Sequence, residues 1–344
     1  MGKTTTRKRW ASKKASILIM KRKPRIREKP AKKVLKLTIR DLLSILFLIT
    51  LGFIYLVRVI YDMPNKVENI VIPNLTNKEA SIVNGHRKVE SELQRQFEYF
   101  VDEMYETGNI KPEERTAWLA YDLIKKEPII SINADIPMQS ASMIKPFVAL
   151  AFFHKVDKGE LKQTKESDRF LRLMLKHSWN TATNWLMKQV GGPEAVNDIL
   201  YECYPDIFQQ TEIVEYIPPG GLTYKNKASA SDYNRFLNAV WCSELPYSDE
   251  IKRLMGLSNP GRSGQILPDT EVAHKSGTTA RMCGDMAILE SKCKEGVHAY
   301  TFIAIIDRDN SVDYYLRWRR IKVNVIRKAS SMVYDAMKET YKYM

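Results

Sequence analysis

Residues 42–61, LLSILFLITLGFIYLVRVIY, constrain this chain more than any other stretch, because in twenty residues they carry one charge, Arg58. A helix rises about 1.5 Å per residue and the hydrocarbon layer is about 30 Å thick, so a run of this length predicts a transmembrane helix. Arg58 lies near its end, where a long cationic side chain can reach the interface. Asp41 and Asp62 bracket the run, and Tyr55 and Tyr61 suit the interface. The excess of Lys and Arg before it predicts a cytoplasmic N-terminus and an outward-facing remainder. A cleaved leader would have a shorter charged segment and a small-x-small cleavage pattern, which DMPNKVENIV lacks. The expected organisation is a basic arm (1–41), a membrane span (42–61), a juxtamembrane stalk (62–85) and a folded domain (86–344).

Charge follows the same division. The 344-residue chain has a formal net charge of +14, but residues 1–40 hold 16 of its 54 Lys+Arg and one of its 40 Asp+Glu. The rest carries 38 basic against 39 acidic residues, or −1. Basicity is therefore a property of the arm, which suits contact with anionic membrane lipid. It argues against a groove that tracks phosphates, so no nucleic-acid partner is expected. The five histidines form no H-x-x-x-H pair, and Cys203, Cys242, Cys283 and Cys293 match no zinc spacing, so neither metal nor cofactor is expected. Cys283 and Cys293 either bridge two adjacent strands or stay as buried free thiols.

Apolar periodicity then lays out the domain. In HRKVESELQRQFEYFVDEMYE the apolar positions recur at helical intervals, while TAWLAYDLI and PIISINAD read as strands joined by KKE. Helical patterns follow at MIKPFVALAFFHKVDKG, RFLRLMLKH, TATNWLMKQV and PEAVNDILYE. Strands return as EVAHKSG, DMAILES and AYTFIAIID, with turns at GTTARMCG and KCKEGVH, and a helix spans roughly 323–341. Strands at both ends, joined locally as hairpins, imply an α+β domain whose antiparallel sheet brackets an inserted helical block.

Ser142 and Lys145 stand three apart where strands give way to a helix, which places both on one helical face. A serine hydroxyl needs an adjacent base to become a nucleophile, and a lysine serves once burial or a neighbouring cation lowers its pKa. The spacing is weak evidence alone, since Ser291 and Lys294 repeat it in a polar turn. Two further elements follow in order: Ser178-Trp179-Asn180 ahead of a helix, and Lys275-Ser276-Gly277-Thr278 on a strand. Taken separately, Ser178 reads equally as a helix cap, Lys275 as a solvent-facing strand lysine and Gly277 as a bulge.

This ordered set, S-x-x-K, S-x-N and K-S-G, resembles that of class A β-lactamases and penicillin-binding proteins. The likeness runs from about Thr116 to the C-terminus and includes SINADIPMQSASMIK, HSWNTATNWLM, GGPEAV and GQILPDTEVAHKSGTT. It implies a five-stranded antiparallel sheet flanked by terminal helices, with a helical subdomain and a cleft between them. It also implies roles: Ser142 as nucleophile, Lys145 as its proton acceptor, and Ser178 as relay to the leaving nitrogen. Asn180 would bind the substrate's amide side chain and Lys275 and Ser276 its carboxylate. Gly277 keeps the strand open, and the backbone N–H groups of Ser142 and Thr278 form the oxyanion hole.

The chain departs from the family pattern in two places. Trp179 replaces the usual central aspartate, and between Glu212 and Ala228 the deacylating glutamate with its following asparagine has no match. Glu215 and Glu212 are the nearest carboxylates, neither followed by that asparagine, and Glu215 or Lys145 would serve in deacylation. Three functions stay open: a hydrolase of β-lactams or of peptidoglycan-type D-alanyl peptides, a penicillin-binding receptor that stays acylated, and a non-catalytic envelope scaffold.

Overall fold

The computed structural model describes residues 92–258, 261–264 and 267–344, all within one compact unit, Gly85–Met344. The basic arm, the apolar run 42–61 and the stalk lie outside the described residues. Among those described, no helix is long and apolar enough to cross a membrane.

The domain opens with helix α1 (Glu92–Glu106), then strands β1 (Glu114–Asp122), β2 (Glu127–Ile132) and β3 (Met138–Gln139). A 3₁₀ turn, Ala141–Ile144, leads into α2 (Lys145–Asp157), followed by α3 (Lys165–His177), α4 (Asn180–Val190) and α5 (Pro193–Cys203). Next come β4 (Lys227–Ala228), α6 (Ala230–Trp241) and α7 (Ser248–Met255). The last part is β5 (Thr270–Thr278), β6 (Met282–Cys293), β7 (Gly296–Arg308) and α8 (Tyr315–Tyr341). Five strands pair antiparallel in the order β2-β1-β7-β6-β5, and β3 pairs with β4 apart from them.

Alternation along the central strands builds a core on each face of the sheet. On β7, Ile303 and Ile305 join the helical block, while Phe302, Ala304 and Ile306 join the side of α1 and α8. On β6, Met286 and Ile288 face the first core and Ala287 and Leu289 the second. Strands covered on both sides read as near-continuous apolar runs, which explains the texts DMAIL and TFIAII. The edge strand β2 keeps exposed positions. Helix α2 lies at the centre of the first core: every residue from Lys145 to Phe153 is buried, as expected of a helix with no polar face. Phe147 sits among Phe208, Tyr233 and Phe236, at ring-centroid distances of 4.8, 5.2 and 5.0 Å.

The expected α+β order is present, with three differences. Cys283 and Cys293 stand at opposite ends of β6, not on neighbouring strands, so they do not bridge, and both are buried free thiols. The last helix begins at Tyr315, eight residues earlier than its apolar periodicity suggests, because a buried lysine, Lys322, occupies a core-facing position between Trp318 and Val325. Helices α6 and α7 were not singled out in the sequence, although Ser229 caps α6 by accepting from the Asp232 N–H at 3.0 Å.

Candidate active site

Where the chain leaves β3, Ala141 takes φ 45°, a left-handed conformation costly for a residue with a Cβ. Asn226 holds this turn in place: its carbonyl accepts from the Ser140 N–H at 3.0 Å and the Ser140 hydroxyl at 2.9 Å. The strand β5 presses on the other side. A Cβ at Gly277 would lie 3.0 Å from the Ser140 carbonyl oxygen and 3.1 Å from Ala141 Cβ, so a side chain there would push the strand off the turn. Ser142, half-buried, is thereby fixed at the start of α2 beside β5.

Lys145 is fully buried below it. Its Nζ lies 2.5 Å from the Ser178 carbonyl oxygen, 2.9 Å from Asn180 Oδ1 and 3.0 Å from Ser178 Oγ. Ser178 ends α3 in a left-handed conformation (φ 57°), which turns its carbonyl and hydroxyl together toward Lys145. Burial, then the nearby charge of Lys275, holds the Lys145 ammonium well below the ordinary lysine pKa. The two carbonyl-type oxygens can only accept, so in the neutral amine they take both protons and the lone pair is left toward the Ser178 hydroxyl. Lys145 and Ser178 are thus placed to exchange a proton with each other.

Lys275 is buried on β5, not solvent-facing, and donates to the Ser276 carbonyl at 3.0 Å. Burial lowers its pKa to about 8, against the opposing pull of Asp285. Behind β5 lies a buried network that sequence reasoning missed. Arg262 donates to the carbonyls of Gly277 at 2.8 Å and Gly284 at 2.6 Å, and to the Thr278 hydroxyl. Asp285 accepts from the Arg262 and Ser263 N–H groups at 2.8 and 2.9 Å, and contacts His274 Nδ1 at 3.0 Å. Although Asp285 is fully buried, which opposes ionisation, these donors and the His274 charge hold its pKa at about 2. A Cβ at Gly261 would fall 2.3 Å from His274 Nδ1, so only glycine fits there. One signal was legible: Asp285 interrupts the otherwise apolar CGDMAIL.

A cleft of about 400 Å³ opens over this arrangement, lined by Ser142, Ser178, Asn180, Thr278, Thr279 and Tyr315 and closed by residues 220–223. The structure therefore brings four sequence-predicted residues, Ser142, Ser178, Asn180 and Thr278, to the lining of the cleft, with Lys145 buried against Ser178 and Asn180 and with Lys275, Ser276 and Gly277 on the same strand as Thr278. It does not bring Glu215 there. That carboxylate accepts from the Thr223 hydroxyl at 3.1 Å and from the N–H groups of Tyr224 and Lys225 at 3.2 and 3.3 Å, closing its own loop. The loop is pinned on both sides. Asn184 pairs with the Ile217 backbone at 2.8 and 2.9 Å, and Asn226 accepts from the Val214 and Glu215 N–H groups at 2.8 and 3.0 Å. No Asp or Glu is among the described residues lining the cleft. Trp179 is half exposed beside it, and no cluster suited to a metal occurs among the described residues.

A family model described as the β-lactamase enzyme family matches residues 106–169 and 167–337, well over half of the chain. The chain belongs to the β-lactamase enzyme family. Among solved structures, PBP-A is 21% identical with a TM-score of 0.59, and the match covers 72% of this chain and 97% of that one. A β-lactamase from Chitinophaga pinensis DSM 2588 is 17% identical with a TM-score of 0.57, covering 72% of this chain and all of that one. An ancestral class A β-lactamase, also 17% identical at a TM-score of 0.57, covers 71% and 100%. At these identities the likeness carries the fold, a β-lactamase/transpeptidase-like α+β domain. No curated protein matches the chain.

Proposed function

We propose that this family member is an extracytoplasmic serine hydrolase, anchored by residues 42–61, that forms an acyl-enzyme at Ser142 with a β-lactam or a D-alanyl peptide amide. The observation that carries the reading is Lys145, fully buried and pKa-depressed, with its amine held by Ser178 and Asn180 at 2.5–3.0 Å, three residues from Ser142. In the first step Ser142 Oγ attacks the amide carbonyl carbon and its proton passes to the neutral Lys145 amine, directly or through water. The carbonyl oxygen becomes an oxyanion received by the backbone N–H groups of Ser142 and Thr278. Collapse breaks the C–N bond, and Ser178, reprotonated by Lys145, delivers the proton to the departing nitrogen. Asn180 binds the substrate's amide side chain, and Lys275, Ser276 and the Thr278 hydroxyl its carboxylate.

Deacylation needs a base that places water on the ester. The carboxylate-free cleft and the closed Glu215 loop favour slow hydrolysis, with Lys145 the group left to activate water. The same observation favours a second reading, a penicillin-binding receptor whose adduct persists. A mutant of PBP-A is described as an acyl-enzyme complex with penicillin-G.

Labelling the full chain with a fluorescent penicillin tests the acylation step. Wild type takes up label, Ser142→Ala takes up none, and Lys145→Ala acylates about 10²–10⁴ times more slowly, the span expected for loss of a general base. Equal labelling of wild type and Ser142→Ala would exclude Ser142 as the nucleophile.

A further inference from the structure

The solvent face of α3, remote in role from the cleft, carries a line of like charge. Lys165, Arg169, Arg172 and Lys176 follow one another at spacings of four, three and four, and all are exposed. At 3.6 residues per turn they fall within an arc of about 60° and extend over about 17 Å. Ser167, Leu171, Met174 and Leu175 occupy the opposite, buried side. A solvated helix face ordinarily alternates sign, because like charges three or four residues apart destabilise the helix. Here three successive like pairs are kept.

Two carboxylates, Asp168 on α3 and Glu250 on α7, stand among these cations and offset part of their charge. Asp168 accepts from Gln163 at 2.7 Å, and Glu250 on α7 is held by Arg253 at 2.6 and 2.7 Å. None of the four α3 cations has an ion-pair partner among the described residues. Between α3 and α7 runs a groove of about 380 Å³, lined by four cations, Lys165, Arg169, Arg172 and Arg253, against two carboxylates, Asp168 and Glu250. This concentration of positive charge stands on a chain that is −1 overall beyond residue 40.

We propose that the α3–α7 groove is a docking surface for a linear phosphodiester polyanion, a chain of regularly spaced phosphates lying along Lys165, Arg169 and Arg172, with Lys176 continuing the same helix face outside the groove. Two features select this occupant. Cations repeating every turn of helix match a repeating anion, and a groove admits a flexible chain where a flat bilayer surface would meet only its rim. Guanidinium groups bind phosphate bidentately, so Arg169 and Arg172 supply most of the recognition. The surface is independent of the acylation chemistry and would hold the domain near its envelope substrate.

The test uses the full chain in detergent with synthetic poly(glycerol phosphate), comparing wild type with Arg169→Glu/Arg172→Glu. The basic arm is identical in both proteins, so it cancels in the comparison. The double variant binds about tenfold more weakly, and the slope of log K against log salt concentration falls by about two. Without polymer it unfolds cooperatively as wild type does, and its penicillin labelling is unchanged. Poly(glycerol phosphate) affinity unchanged between the two proteins overturns the proposal. So does a loss confined to phosphatidylglycerol vesicles, which would make the face a lipid contact. Tighter binding of a single-stranded oligonucleotide than of poly(glycerol phosphate) also overturns it.

Discussion

At the residue scale, the two buried lysines set opposite requirements. Lys145 must be neutral to take the Ser142 proton, and its depressed pKa makes it so at lower pH than an ordinary lysine. Lys275 must be charged to hold a carboxylate, and its pKa of about 8 means that this charge is lost as pH rises through that value. Acylation by a penicillin carrying its free carboxylate should therefore decline above about pH 8, while acylation by the corresponding methyl ester should not. Second-order labelling rates for both compounds between pH 6 and 10 decide this. Parallel profiles would remove Lys275 from carboxylate binding. Legibility at this scale followed sequence distance. Ser142, Lys145, Ser178 and Asn180 lie in short motifs whose order along the chain resembles that of a known family, so they were legible through that resemblance and not through spacing alone. Arg262, His274 and Asp285 meet only through the pairing of β5 with β6 and the approach of the preceding segment, which no local spacing encodes. Glu215 was misplaced for a related reason. A carboxylate near the expected position says nothing of whether its own loop will claim it.

At the element scale, α8 is fastened to the sheet by a charge pair as well as by apolar contact. Lys322 donates to Glu114 and, at 2.5 Å, to the Asn109 carbonyl, while Trp318 Nε1 donates to Glu114 at 2.5 Å. Both charged groups are buried, so removing one leaves the other uncompensated, typically a loss of about 3–5 kcal/mol. Lys322→Met should lower the melting temperature by about 10 °C, and Lys322→Met/Glu114→Gln should recover part of it. A single variant as stable as wild type would show the pair to be dispensable. The strands were legible because burial on both faces leaves long apolar texts. The start of α8 was not, because a lysine at a core position reads as a surface residue until its partner, 208 positions away, is known.

At the scale of the whole molecule, the described domain holds both cores and the complete set of motif residues within Gly85–Met344. A fragment of residues 85–344 should fold cooperatively and acylate at the full-chain rate, as thermal unfolding and penicillin labelling would report. A fragment that labels more than tenfold slower would mean that the N-terminal segments contribute to the cleft. The proposed division between acylation and release likewise depends on the assembled domain: the cleft is lined by Ser142, Ser178, Asn180 and Thr278, while the Glu215 carboxylate is taken up by its own loop. Intact mass of the full chain at timed intervals after mixing with penicillin tests this most directly. The expected result is a covalent adduct that forms within the mixing period, maps to Ser142 and decays far more slowly than it forms. The account is contradicted if no adduct appears and penicillin is not consumed, or if penicillin is turned over rapidly without an adduct ever accumulating.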